Sequence, residues 1–299
     1  MKNKNVVVLG AGESGIGSAI LAKKKGFNVF VSDVNKIKQE VKKTLNKHSI
    51  SYEDGKHSSF NEDNVDLIIK SPGISNESDI IKRLKSNKMK IISEIEFASR
   101  FTDSTIIGIT GSNGKTTTTI ITYEILKRAG LNVEIAGNIG NSFAKIVADK
   151  KFDYCVLELS SFQLDDIVNF SPKYAIITNI TEDHLDRYEN NFNNYIKSKL
   201  RITENQSNKD FLIFNSDDPI LKKMINSKLT KANLHSFSIN NFYSKTKIEK
   251  SKIIINTINK IDMINTTGLS LIGRHNLLNA MAASTVASLL EISDKKIRD

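Results

Sequence analysis

The centre of the chain contains the stretch Thr105-Ile106-Ile107-Gly108-Ile109-Thr110-Gly111-Ser112-Asn113-Gly114-Lys115-Thr116-Thr117. Its first six residues are mostly β-branched and predict a buried strand, and Gly111 to Gly114 predict a loop. Lys115 to Arg128 predicts a helix that ends before Gly130. A strand, a glycine loop and a helix in this order are typical of an α/β domain that binds its ligand at the carboxyl end of the sheet.

This loop has the residue types that bind a nucleoside triphosphate. Its backbone N–H groups can surround phosphate, Lys115 can contact the β and γ oxygens, and the Thr116 hydroxyl can bind Mg²⁺. The spacing departs from the strict phosphate-loop pattern, because Ile109 stands six residues before the lysine. Gly108 or Gly111 must therefore provide the turn. The alternative is a helix start that binds nothing; we expect ATP.

Strand-like runs separated by helices continue on both sides of this stretch. The predicted strands are Val6 to Leu9, Asn28 to Ser32, Val65 to Ile69, Lys90 to Ile92, Thr105 to Thr110, Asn132 to Ile135, Tyr154 to Leu159, Tyr174 to Asn179 and Phe211 to Asn215. The further predicted helices are Ser18 to Lys25, Glu94 to Arg100 and Asn276 to Leu290. The pattern restarts after a connector at 101–104, and 234–270 predicts a small β appendage. We therefore predict two α/β domains, at 1–95 and 96–299.

Composition excludes several classes of protein. A length of 299 residues suits two domains, and a hydrophobic fraction of 39% is enough for ordinary cores. Cys155 is the only cysteine, so an intramolecular disulfide is impossible and a reducing compartment is expected. No apolar run reaches the roughly 18 residues of a membrane helix. The net charge of +10 comes from scattered lysines without interleaved aromatic residues, so nucleic acid is not expected. We expect a cytoplasmic protein that binds no membrane.

A second glycine motif lies close to the N-terminus. Gly10-Ala11-Gly12-Glu13-Ser14-Gly15 follows the first strand and opens a helix, and Asp33 ends the second strand. This pattern favours a nucleoside diphosphate at the start of the helix. Taken alone it indicates an NAD(P)-dependent oxidoreductase, although no hydride-transfer acid or base is evident downstream. The other alternative is a tight turn that binds nothing.

The central loop resembles the ATP loop of the Mur ligases and their folylpolyglutamate synthetase relatives. Four further stretches resemble the MurD type within that family, in the family's order and across essentially the whole chain. They are Ser71-Pro72-Gly73-Ile74, Gly137-Asn138-Ile139-Gly140, Leu157-Glu158-Leu159-Ser160-Ser161-Phe162-Gln163-Leu164 and Thr181-Glu182-Asp183-His184-Leu185-Asp186-Arg187-Tyr188. The resemblance implies a Rossmann-like N-terminal domain with a parallel sheet, followed by a P-loop-like ATP-binding α/β domain.

The resemblance also implies a reaction. It is the ATP-dependent addition of D-glutamate to UDP-N-acetylmuramoyl-L-alanine, through an acyl phosphate, in peptidoglycan precursor synthesis. Such ligases act in cell wall biogenesis and thereby in cell shape, cell division and the cell cycle. ATP and Mg²⁺ are the expected cofactors. UDP-N-acetylmuramoyl-L-alanine and D-glutamate are the expected substrates, and a cytoplasmic monomer is expected.

Residue roles are carried over from the family position by position. The residues implied for ATP binding are Gly111, Ser112, Asn113, Gly114, Lys115, Thr116, Thr117, Asn276 and Asn279. Those implied for catalysis are Lys115, His184 and Lys199, and those for the metal are Thr116, Glu158, His184 and Lys199, the last as a carbamate. Those implied for the UDP-linked substrate are Glu13, Ser14, Asp33, Ser71, Asn138, Ser160 and Gln163.

Four of these residues have a simpler structural alternative. Glu158 could be a surface or helix-capping carboxylate, and His184 could be structural. Lys199 could lie on a solvated helix face, and Asn276 could cap a helix. Val34-Asn35 follows Asp33 where some family members have Thr-Arg, so a bidentate diphosphate contact is in doubt.

The family implies a third domain that binds the incoming amino acid, and this sequence does not contain it. The sequence is therefore expected to be a truncated gene product or a fragment, and D-glutamate specificity rests on analogy alone. A non-catalytic nucleotide-binding module that needs a partner chain is the remaining alternative.

Overall fold

The structure is a computed structural model that describes residues 4–57, 60–225, 230–267 and 273–298. The strands are β1 (Asn5–Leu9), β2 (Asn28–Asp33), β3 (Ser51–Asp54), β4 (Leu67–Lys70), β5 (Ile91–Ser93), β6 (Thr105–Thr110), β7 (Val133–Gly137), β8 (Tyr154–Glu158), β9 (Tyr174–Ile177), β10 (Phe211–Asn215), β11 (Asn233–Phe237), β12 (Thr246–Glu249), β13 (Lys252–Asn256) and β14 (Ile261–Asn265). The helices are α1 (Glu13–Lys24), α2 (Gln39–Lys47), α3 (Asp79–Ser86), α4 (Glu94–Ser99), α5 (Lys115–Arg128), α6 (Phe143–Asp149), α7 (Ser161–Leu164), α8 (Phe192–Leu200), α9 (Pro219–Ile225), α10 (Arg274–Leu289) and α11 (Asp294–Arg298). Short 3-10 helices lie at Glu62–Asn64, Leu185–Tyr188 and Arg201–Thr203.

The chain divides into two compact units. The first consists of Met1–Asp103, Gly140–Lys151 and Phe162–Phe170, and the second consists of Ser104–Ile139, Phe152–Ser161 and Ser171–Asp299. The first unit thus continues to Asp103 and includes two segments from later in the chain. The domain boundary between 95 and 96 stays a prediction.

The sheet of the first unit is parallel throughout. Its strand order is β3-β2-β1-β4-β5, with β1 at the centre. The side chains of Val6 to Leu9 are buried, as expected for a parallel strand that is covered on both faces. β3 was not predicted, because its sequence, Ser51-Tyr52-Glu53-Asp54, is polar and it lies at the sheet edge. The predicted Rossmann-like fold of this unit is confirmed.

The backbone at the start of helix α6 donates hydrogen bonds to two glutamates of the first unit. Glu94 Oε1 accepts a hydrogen bond from the backbone N–H of Ala144 at 2.6 Å, and Glu13 Oε1 accepts one from Ser142 N at 3.1 Å. Glu94 is buried, and burial raises its pKa to about 7, with the nearby Glu13 carboxylate adding to the shift. The start of α6 therefore packs against a carboxyl group that binds a proton near neutral pH.

The segment Phe162–Phe170 is held by acidic side chains as well. Glu96 Oε2 accepts hydrogen bonds from the three successive backbone N–H groups of Val168, Asn169 and Phe170, at 3.0, 2.9 and 2.8 Å. These bonds and the Arg100 guanidinium outweigh the effect of burial and lower the pKa of Glu96. A buried ion pair joins Lys70 Nζ to Asp166 Oδ2 at 2.7 Å. The segment is therefore fixed to α4 and β4.

The second unit has a larger sheet with the order β14-β13-β12-β11-β10-β9-β6-β8-β7. Neighbouring strands are parallel from β7 to β12, and β13 and β14 add antiparallel strands at one edge. Its core includes Ile107, Ile109, Val156, Met281 and Ala283, which are fully buried. The predicted P-loop-like α/β unit with a β appendage is confirmed; the appendage extends the same sheet, and its last predicted residues, 268–270, lie outside the described ones.

Across the described ranges, no helix is both long and apolar enough to cross a membrane.

Candidate functional site

The central glycine loop has a backbone shape that a side chain would disrupt. Gly111 has a φ of +149°, and a Cβ placed there would collide with Thr178 Oγ1. Gly114 has a φ of +80°, and a Cβ there would lie 2.5 Å from Asn279 Oδ1. Gly108 lies within β6, so Gly111 is the residue that provides the turn.

Side chains that follow β9 hold this loop in place. Thr178 Oγ1 and Asn179 Nδ2 both donate to the carbonyl oxygen of Asn113, at 2.7 and 2.9 Å. Asn179 Oδ1 accepts from Asn113 N at 2.9 Å, and Ser112 Oγ donates to Thr181 O at 2.8 Å. The loop is therefore shaped by the protein alone, and its ordering cost is met on folding rather than on binding.

Lys115 folds back over the loop. Its Nζ donates to the carbonyl oxygens of Gly111 and Ser112, both at 2.9 Å. Burial lowers its pKa, and the nearby carboxylates of Glu158 and Asp183 partly oppose that shift. Because an ammonium group has three donors, one remains for a ligand oxygen. This places a half-buried cation at the phosphate position that the sequence predicts.

A second lysine lies against the same loop. Lys199 of α8 is only 2% exposed, and its Nζ donates to Gly111 O at 2.7 Å. The same nitrogen lies 4.6 Å from the centre of the Tyr195 ring. The alternative of a solvated helix lysine is therefore wrong for Lys199, whereas Lys197, two residues earlier, is exposed. Carbamylation of Lys199 stays a prediction.

Glu158 is a buried carboxylate with one unsatisfied oxygen. It ends β8, in register with Ile109 of β6 and Gly137 of β7, and is 1% exposed. Its Oε1 accepts from Asn138 Nδ2 at 2.9 Å, while Oε2 has no hydrogen-bond partner among the described residues. Burial of such an oxygen is costly unless a cation or donor meets it. The surface alternative is therefore wrong, and the arrangement fits a bound cation.

The other proposed metal ligands are less constrained. Thr116 is exposed in the first turn of α5. The side chain of His184 is 55% exposed, lies 3.5 Å from Asp183, and its residue has a φ of +51°. Within the described residues, no three His, Cys, Asp or Glu side chains converge on one point. A cation here would need oxygens from Thr116 and from the nucleotide itself, and the role of His184 stays a prediction.

A cavity of about 520 Å³ adjoins the loop. Asn113, Gly114 and Asn279 line it, and Asn279 Oδ1 also accepts from Thr118 Oγ1 at 3.2 Å. Asn276 is not among its lining residues; it lies inside α10, whose N-cap is Gly273, so a capping role for Asn276 is wrong. Sequence reasoning missed several polar lining residues, which end or follow β10 or lie in the first turn of α10. They are Asn215, Asp217, Asp218 and His275.

The N-terminal glycine loop borders a cavity of about 710 Å³, called here the N-terminal cavity. Four predicted substrate residues lie together in its wall, namely Glu13, Ser14, Asp33 and Ser71. Asp33 Oδ2 accepts from the backbone N–H of Ala11 at 2.7 Å. Apolar residues complete part of the wall, namely Val34, Pro72, Ile74 and Ile80. No lysine or arginine of the described chain lines this cavity.

The other three predicted substrate residues lie elsewhere. Asn138 is bonded to Glu158 through both its side chain and its backbone N–H. Ser160 is partly buried just after β8, and Gln163 is 2% exposed in a segment of the first unit. None of the three lines the N-terminal cavity, so their contact with a substrate stays a prediction.

Both loops lie within stretches that match models of known protein families. A model of the Mur ligase middle domain matches residues 109–287, and a model of the MurD N-terminal domain matches residues 5–80. The chain belongs to the Mur ligase family. Neither match favours the oxidoreductase alternative.

Individual relatives agree with this assignment. The chain is 49% identical over 296 residues to UDP-N-acetylmuramoylalanine--D-glutamate ligase of Bacteroides fragilis, covering 99% of this chain and 66% of that one. It is 47% identical to the ligase of the same name from Christiangramia forsetii, covering 99% and 67%. A murein peptide ligase structure from Psychrobacter arcticus shares the fold at a TM-score of 0.64 and 20% identity, covering 99% and 67%. The chain thus spans about two thirds of the length of these relatives.

Proposed function

We propose that this chain is the nucleotide-binding part of an ATP-dependent ligase that adds D-glutamate to UDP-N-acetylmuramoyl-L-alanine. The observation that carries the proposal is the arrangement around Gly111. Two lysine ammonium groups, from Lys115 and Lys199, donate to its carbonyl oxygen, and the buried carboxylate of Glu158 lies at the end of the neighbouring strand. The relatives named UDP-N-acetylmuramoylalanine--D-glutamate ligase support the choice of substrates. A cytoplasmic monomer acting in cell wall synthesis, and so in cell shape and division, is part of the proposal.

The chemistry has to overcome the poor reactivity of a carboxylate as an acyl donor. The muramoyl-alanine carboxylate attacks the γ-phosphorus of ATP, ADP leaves, and an acyl phosphate forms. The amine of D-glutamate then attacks the acyl carbon, phosphate leaves from the tetrahedral intermediate, and the nitrogen loses a proton. Catalysis of this kind depends on positioning and on cations near the phosphoryl charge.

Residues of this chain supply both requirements at the central loop. The loop amides and the start of α5 face the phosphates. Lys115 provides a positive charge as long as its amine is protonated. Asn279 lies beside Gly114 and in the wall of the adjoining cavity, where it can orient the base. Hydrogen bonds from Thr178 and Asn179 already hold the loop, which lowers the binding energy needed to order it.

A divalent cation fits the unsatisfied oxygen of Glu158. Two Mg²⁺ ions are proposed here, and Thr116, Glu158, His184 and a carbamylated Lys199 are their candidate ligands, with His184 assigned to the second ion. Bound Mg²⁺ would neutralise charge on the phosphate oxygens. Lys199 lies beside Lys115, and conversion of its ammonium to a carbamate would replace a second positive charge by an oxygen donor.

The carbamate has a direct test that does not need turnover. A ¹³C carbonyl signal from a carbamate should appear when the chain is prepared with ¹³C-bicarbonate. Lys199→Ala should abolish that signal, and Lys197→Ala, on the exposed face of the same helix, should keep it. A signal that survives Lys199→Ala would remove Lys199 from the metal ligands.

Calorimetry on the 299-residue chain tests the function as a whole. Mg·ATP should bind, and UDP-N-acetylmuramoyl-L-alanine should bind more tightly than NAD. Tighter binding of NAD would instead support an oxidoreductase. In a version of this chain extended to the full length of its relatives, ADP release should require the UDP-linked substrate and should increase when D-glutamate is added.

A further inference from the structure

A histidine that no motif singled out lines the N-terminal cavity at the end of a buried hydrogen-bond chain. His57 Nδ1 lies 2.7 Å from Ser32 Oγ, and that hydroxyl lies 2.7 Å from Glu53 Oε1. Ser32 is fully buried and Glu53 is 8% exposed, whereas His57 is half-buried. The chain of bonds therefore runs from the interior of the first unit to the wall of the cavity.

The direction of these bonds follows from the donors available. The Ser32 hydroxyl has one hydrogen, and an ionised Glu53 carboxylate can only accept. The other acceptor near Ser32 Oγ, the Lys56 carbonyl oxygen, is 3.4 Å away and therefore weaker. The hydrogen thus goes to Glu53, and His57 must donate its Nδ1–H to the serine oxygen. In a neutral ring this leaves a lone pair on Nε2.

The surroundings keep the ring neutral. Burial lowers the pKa of His57 below its ordinary value, and the positive charge of Arg83 adds to the effect. Asp33 and Glu53 act in the opposite direction without cancelling it. Nε2, on the side of the ring away from Ser32, has no hydrogen bond among the described residues. It is an acceptor available to a ligand in the cavity.

We propose that His57 Nε2 accepts a hydrogen bond from the imide N–H of a uracil base. This inference rests on the proposed function, because it concerns the base of the UDP-linked substrate. Uracil has one ring N–H, at N3, whereas cytosine has an unprotonated acceptor there, so a fixed acceptor separates the two. The apolar residues Val34 and Ile74 in the same cavity suit a flat base. His57 is thus a specificity-determining residue held in one tautomer by Ser32.

Two histidine variants and two ligands test this role by calorimetry on the whole chain. The ligands are UDP and 3-N-methyl-UDP, which lacks the imide hydrogen. His57→Asn keeps an amide donor near the position of Nδ1 but has nothing at Nε2. It should bind UDP about tenfold more weakly, the effect of one lost hydrogen bond, and 3-N-methyl-UDP no more weakly than before. His57→Gln places an amide oxygen near the position of Nε2 and should restore part of the preference for UDP.

The controls separate this role from folding and from the proposed function. His48→Gln, in the same unit but outside the cavity, should leave both affinities unchanged, and thermal melting should show that each variant folds. Unchanged UDP affinity in a folded His57→Asn chain would overturn the inference. This holds even if the variant no longer preferred UDP to 3-N-methyl-UDP, because the unchanged chain would then reject the methyl group by its size and not by a missing hydrogen bond. Equal binding of both ligands by the unchanged chain would overturn it as well. No UDP binding by the unchanged chain would instead overturn the proposed function, and the inference with it.

Discussion

The two glycine loops of this chain follow buried strands and open helices, yet they are surrounded by opposite charges. At 10–15 a carboxylate holds the loop, because Asp33 accepts the N–H of Ala11. At 111–114 ammonium groups hold it, because Lys115 and Lys199 donate to the carbonyl oxygen of Gly111. Both loops follow a strand and precede a helix, so their place in the fold does not distinguish them.

The difference shows what glycine spacing does and does not determine. Glycines fix the path of the backbone and the direction of its N–H groups. The charges come from distant parts of the chain, such as Lys199, which is 88 residues from Gly111. The first loop borders a cavity with acidic, neutral and apolar residues, which suits a nucleoside. The second has the positive charge of Lys115 beside it, which suits a triphosphate, and Lys199 adds a second positive charge as long as it is not carbamylated.

Replacement of Lys115 should have the largest effect on the difference in nucleotide binding between the two loops. Lys115→Ala should weaken Mg·ATP binding by about a hundredfold, because the one ammonium donor left for a ligand oxygen makes a charge-assisted hydrogen bond, which contributes about 1.5–3 kcal/mol. UDP binding at the N-terminal cavity should not change. Calorimetry with both nucleotides measures this, with Lys127→Ala at the exposed end of α5 as the matched control. Unchanged ATP affinity in Lys115→Ala would remove the phosphate-loop assignment.

The buried carboxyl group of Glu94, in the same unit as the first loop and close to Glu13, should affect the pH dependence of stability. The folded-state pKa of Glu94 is about 7, above its ordinary value of 4.5, because the carboxyl is buried. The stabilisation from its protonated form is thus fully present below pH 4.5 and is lost as the pH rises through about 7. The total is at most about 3 kcal/mol. Glu94→Gln should remove this loss.

Denaturant unfolding at several pH values measures the effect. The difference in unfolding free energy between Glu94→Gln and the unchanged chain should move in favour of the variant between pH 5 and 7.5. Glu40→Gln, an exposed site in the same unit, should show no such trend. A parallel pH profile for Glu94→Gln would mean that Glu94 is ionised throughout.

Two glycine substitutions should separate the loops by their backbone shape. Gly114→Ala should destabilise the chain by about 2 kcal/mol, because its φ is positive and the new Cβ would meet Asn279 Oδ1. Gly12→Ala should cost less, about 0.5–1 kcal/mol, because Gly12 has a φ of −75° and a Cβ there would meet nothing within 4 Å; the remaining cost is that alanine is a poorer N-cap of α1 than glycine. Thermal unfolding of both variants compares them, and similar losses would contradict the backbone argument.

Local sequence patterns predicted the parts of the fold that are locally encoded. β6, α5 and β10 have the bounds that the sequence predicts. A β-branched run and glycines define the ends of β6 and α5, and polar residues on both sides of an apolar run define those of β10. α1 begins at Glu13, earlier than the predicted Ser18, since the helix starts directly at the glycine loop. β3 was missed because its only buried side chain is Glu53, so no alternation of apolar residues marks it.

Long-range contacts account for what the sequence could not predict. Motifs identified Lys115 and Glu158, but neither the buried Ser32 nor His57 belongs to a recognisable pattern. Their pairing depends on β2 and the segment after β3 lying side by side. In the same way, the attachment of α6 to the first unit depends on Glu94, which lies 50 residues from its partner Ala144.

The smallest effect should come from Glu158, a buried carboxylate near the positively charged loop. Glu158→Gln keeps the shape of the side chain and an oxygen that can still accept from Asn138 Nδ2. The amide replaces the unsatisfied Oε2 with a donor that cannot bind a cation. The Mg²⁺ concentration needed for half-maximal ATP binding should therefore rise about tenfold, the effect of one lost charged contact.

The same substitution should not harm the fold. Without metal, the variant should melt at the same temperature as the unchanged chain or higher, because a buried and incompletely paired charge is removed. Glu124→Gln, on α5 and paired with Arg128 at its surface, is the control and should leave the Mg²⁺ requirement unchanged. If Glu158 were purely structural, its variant would melt lower and titrate with Mg²⁺ like the unchanged chain. That result would leave Lys115 and Lys199 as the features that separate the second loop from the first.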